Sequence, residues 1–177
     1  MGGHKPLARA ELPIDTVLLA RFLIGKILVR ELPEGIASGR IVDTEAYVVG
    51  DAAGHAYRGM TKRNRSFFLE RRPAYVYLAY GVSYLLNVSS ETQGIGAGVL
   101  IRALEPLQGV PLMKLNRGIE RVRDLPRDGP EGDGSWAVIS SPQPWRPRRT
   151  ACSTRGNAKG RPHSTPRGVL VCSDPSL

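Results

Sequence analysis

The sequence predicts a single α+β domain on a curved, open-barrel-like antiparallel or mixed β-sheet with peripheral helices. Two observations carry this. Strand-like runs follow one another through short Gly/Pro turns, without a helix between each pair, which argues against a doubly wound parallel sheet. The chain has 177 residues, enough for one domain with a real core and too few for two comfortable ones.

The elements read in order as follows. Asp15 is placed to N-cap a helix over residues 17–24, closed by Gly25. Residues 26–31 read as a strand, Pro33 to Gly35 as a turn, and residues 37–46 as the hairpin partner. Residues 74–80 and 84–89 are two further strands, separated by Gly81-Val82-Ser83. Residues 99–105 form the fifth, and Pro106 is expected to open a short helix reaching Leu115. The polar, Arg-rich stretch 50–73 reads as a functional surface loop.

Composition narrows the partners. Lys plus Arg total 25 against 16 acids, a net charge of +9, with a pI near 10.1. That balance favours a polyanion, nucleic acid above all. No apolar run approaches a membrane span, and the start Met1-Gly-Gly-His-Lys5 lacks a signal-peptide core. Cys152 and Cys172 give neither zinc-ligand spacing nor a disulfide framework. The expectation is a cytoplasmic monomer with no membrane association, no metal and no other cofactor.

The chemistry concentrates in Arg40-Ile-Val-Asp-Thr-Glu-Ala-Tyr47, followed by His55-Ala-Tyr-Arg-Gly59 and Tyr75-Val-Tyr-Leu-Ala-Tyr80. A lone acid among aromatics, in a basic protein, suits activation of water beside a flat, electron-poor ring such as an extruded nucleobase. Val42, Ala46, Tyr47 and Val48 would partly desolvate Glu45 and strengthen it as a proton acceptor. Arg102, inside the apolar run 99–104, calls for an anionic partner if it faces that site; on an edge strand it would simply face solvent. Alternation puts Tyr75 and Tyr77 on one face and Tyr80 on the other, as core residues or stacking platforms. His55 has no second His or Cys near it, so it reads as a hydrogen-bonding residue. Asn87, an amide in an apolar strand, needs a partner in the fold or a ligand.

Together these residues resemble the alkyladenine (3-methyladenine) DNA glycosylase family. The likeness runs from about Leu12 to Leu107. Val42 to Tyr47, His55 to Gly59, Arg63-Asn64, Tyr75 to Tyr77 with Tyr80-Gly81, Asn87, and Leu100-Ile-Arg-Ala-Leu-Glu-Pro106 occur in family order and spacing. The resemblance implies that Glu45 activates water against the sugar C1′, with Arg102 holding Glu45 and the water. It implies a base pocket of Tyr47, His55 and Tyr77, with Asn87 penalising the amino group of normal guanine. Tyr80 would be the wedge that fills the vacated stack, and the partner would be damaged double-stranded DNA. An alkylated base is already cationic, so it leaves readily and stacks strongly on tyrosine faces. No lysine nucleophile stands out, so a monofunctional hydrolase of N-glycosyl bonds is expected.

Two departures qualify the likeness. Met60-Thr-Lys62 stands where the family has Arg-Thr-Pro. The segment Asp124 to Pro130 resembles the family's continuation, and there the likeness stops. Residues 117–177 hold 11 Lys/Arg and 8 of the 14 prolines, with no apolar periodicity until Gly168-Val-Leu-Val-Cys172. The expected division is therefore a glycosylase-like domain over residues 1–116, incomplete by family standards, and a basic Pro/Arg/Gly-rich tail over 117–177. That tail is expected to be poorly ordered, or read off-frame after about Pro130. Two rival functions stay open: a catalytically inactive, truncated DNA-binding protein of the same fold, and a general RNA- or single-strand-binding module.

Overall fold

The computed structural model describes residues 6–69, 73–79, 83–117 and 169–172. Its frame is one antiparallel sheet in the order β3-β4-β5-β2-β1-β6, curled and flanked by two helices. The strands are β1 (Ile27–Leu32), β2 (Gly35–Tyr47), β3 (Ala74–Ala79), β4 (Ser83–Ser89), β5 (Gly98–Gln108) and β6 (Val169–Cys172). The helices are α1 (Thr16–Leu23) and α2 (Val110–Arg117).

Helix α1 forms where a cap and an apolar stripe coincide. The Asp15 carboxylate accepts from the Leu18 N–H at 2.8 Å, satisfying an end donor of the first turn. Thr16, Leu19, Ala20 and Leu23, at helical spacing, are the buried residues. Gly25, at φ +80°, ends the helix and turns the chain into β1, its N–H bonded to the Ile41 carbonyl at 2.8 Å. A second tie comes from the β4–β5 connection. The Glu91 carboxylate accepts from the Thr16 N–H at 3.0 Å and the Thr16 hydroxyl at 2.7 Å.

The sheet has two unlike faces. Leu86 and Val88 of β4, Val99 and Ile101 of β5, and Ile41 of β2 pack with α1 and with Met113 of α2 in the main core. On the opposite face Leu85 and Leu100 form a smaller buried cluster, with Tyr47 and Tyr77 against them. Strict alternation from Ile41 would send Glu45 into the helix-side core. It does not go there, because the β2–β5 register shifts between Ile41 and Asp43 and again before Thr44. Such irregularities re-aim side chains. Beyond the shift Thr44 bonds the Ala20 carbonyl of α1 at 3.0 Å, while Asp43, Glu45 and Tyr47 project from the other face.

One expectation needs correction, and one open choice is decided. Pro106 does not open a helix. Strand β5 continues through it to Gln108, and α2 starts at Val110 after Gly109 at φ +78°. Proline lacks a ladder donor, and Pro106 sits where the register already shifts, between Ser38 and Gly39. Its role of starting the helix passes to Pro111, in the first turn, where the missing N–H costs nothing. Of the two placements open to Arg102, the structure has the paired one: its strand β5 lies between β4 and β2, and its guanidinium meets Glu45.

The loop after β2 is a series of turns leading to a 3₁₀ turn at Arg65–Phe68. Phe67, 3% exposed, packs over Gly98, where a Cβ would collide with its ring. Most of the 117–177 tail lies outside the described residues. The exception beyond Arg117 is β6, which pairs with β1 from Ile27↔Cys172 to Arg30↔Val169.

Candidate active site

Register builds the site. Glu45 of β2 pairs with Leu100 of β5, Leu100 with Asn87 of β4, and Asn87 with Tyr75 of β3. Paired residues share a face, so one row across four strands carries Glu45, Leu100, Asn87 and Tyr75. The adjoining rows bring Tyr47 on one side, and Leu85 opposite Tyr77 on the other.

At the β2 end Arg102 holds two carboxylates. Its Nη1 donates to Glu45 Oε2 at 2.6 Å, and its Nε lies 3.4 Å from Asp43 Oδ2. The Glu45 side chain is 39% exposed. The acid is thus partly shielded, as expected, though not by all four of the neighbours expected to do it. Val42 and Val48 are themselves half-exposed, and Ala46 packs into the helix-side core. What covers Glu45 is Tyr47, whose hydroxyl bonds to it. Burial, then the Glu45 charge and that hydrogen bond, push the Tyr47 phenol up to about 12, so it stays a neutral donor at neutral pH.

At the β3 end an aromatic stack stands beside this pair. Tyr75 and Tyr77 stack at 5.4 Å between centroids, His55 lies 4.1 Å from Tyr77, and Phe67 is 4.4 Å from Tyr75. His55 Nδ1 is 3.0 Å from the Tyr75 hydroxyl. Burial, helped by the Arg63 charge, lowers the His55 pKa, so its neutral form prevails at neutral pH. Tyr77 and Tyr47 pack on the same two leucines, which joins the stack to the acid pair. Asn87, 2% exposed, donates to the Tyr75 carbonyl at 3.4 Å, a long bond that stays within the sheet.

The loop bearing His55 hangs on one amide. Asn64, 4% exposed, accepts at Oδ1 from the Thr61 N–H (2.6 Å) and hydroxyl (2.9 Å). Its Nδ2 donates to the carbonyls of His55 (2.8 Å) and Gly59 (3.0 Å). All its bonding capacity is used. Beside it a cavity of about 470 Å³ is lined by His55, Tyr57, Arg58, Arg63 and Tyr75 among others.

Of the residues singled out in the sequence, Glu45, Arg102, Tyr47, His55, Tyr77 and Asn87 thus meet on one face. Tyr80 lies outside the described residues. Reading the sequence missed three. Asp43 was detectable as the carboxylate two residues before Glu45, on the same strand face. Asn64 was detectable from its Thr61-x-x-Asn64 turn spacing. Tyr75 was placed in the core, where it is, but its hydroxyl also holds His55. Among the described residues no group of three or more His, Cys, Asp or Glu is placed to hold a metal. No helix among them is long and apolar enough to cross a membrane.

Residues 10–135 match the family model of methylpurine-DNA glycosylase. A curated relative from Mesorhizobium japonicum is 73% identical over 124 residues, covering 70% of this chain and 60% of its own length. One from Paraburkholderia phytofirmans is 50% identical over 150 residues, covering 79% and 70%. One from Rubrobacter xylanophilus is 55% identical over 103 residues, covering 58% and 53%. All three carry the name "Putative 3-methyladenine DNA glycosylase". This chain therefore spans about 60% of the length of the first relative.

Proposed function

Because the chain belongs to the methylpurine-DNA glycosylase family, we propose that it releases alkylated purines, 3-methyladenine foremost, from duplex DNA by hydrolysis. The observation that supports this most is the Glu45–Arg102 pair opening beside the Tyr47, Tyr77 and His55 rings. In this reading the damaged nucleotide turns out of the helix and its cationic base stacks on the tyrosines. Glu45 takes a proton from water while the water oxygen bonds to C1′. The C1′–N bond breaks, and its electron pair neutralises the departing base. Arg102 holds the Glu45 carboxylate in place, and Asp43 holds Arg102. The Tyr47 hydroxyl, kept protonated, donates to the same carboxylate. The positive charge developing on the sugar is stabilised by the carboxylate it faces. Tyr80, on the β3–β4 connection, is the proposed wedge, and Asn87 the residue that discriminates against guanine.

The deciding experiment is single-turnover release of 3-methyladenine from alkylated duplex by the parent chain and by Glu45→Gln. A positioned general base contributes about 10²- to 10⁴-fold, and a loss of that size is expected with duplex affinity retained. Parent-like rates in the variant would remove Glu45 from the chemistry. A chain that binds duplex but releases no base would favour a binding-only protein of the same fold.

A further inference from the structure

His55 is held at one ring nitrogen only. Its Nδ1 meets the Tyr75 hydroxyl at 3.0 Å, and Nε2 has no partner among the described residues. Distance alone does not place the proton, because a hydroxyl can give or accept. Arg63 settles the direction. It lines the same cavity as His55 and Tyr75, and its charge stands beside the Tyr75 hydroxyl, within reach of a hydrogen bond. A guanidinium only donates. The Tyr75 oxygen therefore accepts from Arg63, and its own single proton is left for Nδ1. The hydroxyl cannot swing away, because the Tyr75 ring is 3% exposed and packed between Phe67 and Tyr77.

We infer that Arg63, acting through Tyr75, fixes His55 in the tautomer with its proton on Nε2, so that His55 presents a hydrogen-bond donor and selects an acceptor atom of a bound nucleotide. The opposite tautomer would have the Tyr75 oxygen accept twice and leave the phenolic proton without an acceptor among the described residues. Burial and the Arg63 charge both keep the ring neutral, which gives the choice of tautomer its meaning. Arg63 is thus a positioning residue for His55, on the loop that Asn64 anchors. The proton's place stands apart from the proposed function; only the nucleotide as ligand rests on that reading.

The test is long-range proton–nitrogen correlation NMR on the full chain, labelled with ¹⁵N-histidine, at slightly alkaline pH. His55 is assigned by the signals lost in His55→Gln. The parent should show a single Nε2–H pattern. Arg63→Met should shift it to an averaged mixture of tautomers, and Arg63→Lys, which also only donates, should restore it. Tyr75→Phe should give the mixture too; should that buried substitution fail to fold, the exposed Arg63 variants still decide. An Nδ1–H pattern in the parent, or an Arg63→Met spectrum identical to the parent's, would overturn the inference. Base release measured on the same samples reports separately on function. The Nε2–H pattern in a chain that releases no base counts against the glycosylase reading and leaves this inference standing.

Discussion

Replacing Asn64 should loosen the candidate site without changing any of the proposed base-contacting side chains. Its side chain makes four hydrogen bonds, to the Thr61 N–H and hydroxyl and to the His55 and Gly59 carbonyls, at 2.6 to 3.0 Å. At about 1 kcal/mol net for each, Asn64→Ala should cost about 2–4 kcal/mol. The lower end applies where the loop opens and water replaces the lost partners. Asn64→Asp separates the two halves of the clamp. It keeps the acceptor for Thr61 but turns an anionic oxygen towards two carbonyl oxygens, so it should cost at least as much as alanine. Urea unfolding at constant m gives the total, and amide exchange over residues 54–61 shows where it is lost. Both variants unfolding within about 0.5 kcal/mol of the parent, the range of ordinary surface changes, would refute the anchoring role.

Further outcomes follow from the same geometry. Alkaline difference spectra of the parent minus Tyr47→Phe should titrate near 12; a midpoint at the ordinary tyrosine value of about 10 would mean that Tyr47 does not bond Glu45. Since the folded value is the raised one, Tyr47's contribution to stability is complete below about pH 10 and is lost as pH climbs through about 12. Gly98→Ala, whose new Cβ meets the Phe67 ring, should destabilise by about 1–3 kcal/mol and be partly relieved by adding Phe67→Leu; an unchanged melting curve removes the close approach. Asn87→Ser should permit slow release of normal guanine that the parent leaves in place, and equal release by both would put Asn87 outside the pocket.

The parts legible in the sequence are those set by local rules. Helix α1 could be read from Asp15, the 3.6-residue stripe and Gly25, because cap, stripe and stop lie within one short segment. The hairpins could be read for the same reason. Glu45, Arg102 and the tyrosines stood out as residue types at odds with their surroundings, and the family resemblance told which of them would meet. What escaped depends on partners distant in sequence. The shift that turns Asp43 and Glu45 to the open face belongs to the pairing of β2 with β5, and period-two counting along one strand cannot show it. Pro106 reads as a helix opener until β2 is known to run beside it. Asn64 looks like one more polar loop residue, since its burial arises only when the loop folds back on it.

The unlike faces of the sheet also bear on how such a protein can change. Helices, caps and most of the buried leucines and isoleucines lie on one side, and every proposed base-contacting residue within the described strands lies on the other. Substitutions that retune which lesion is accepted can therefore accumulate while the fold's main store of stability is untouched. Leu85 and Leu100 are the exception, since they underlie Tyr47 and Tyr77 and belong to both demands at once. A library randomised at Tyr47, His55 and Tyr77 but fixed at these two leucines would explore lesion preference while sampling mostly folded proteins.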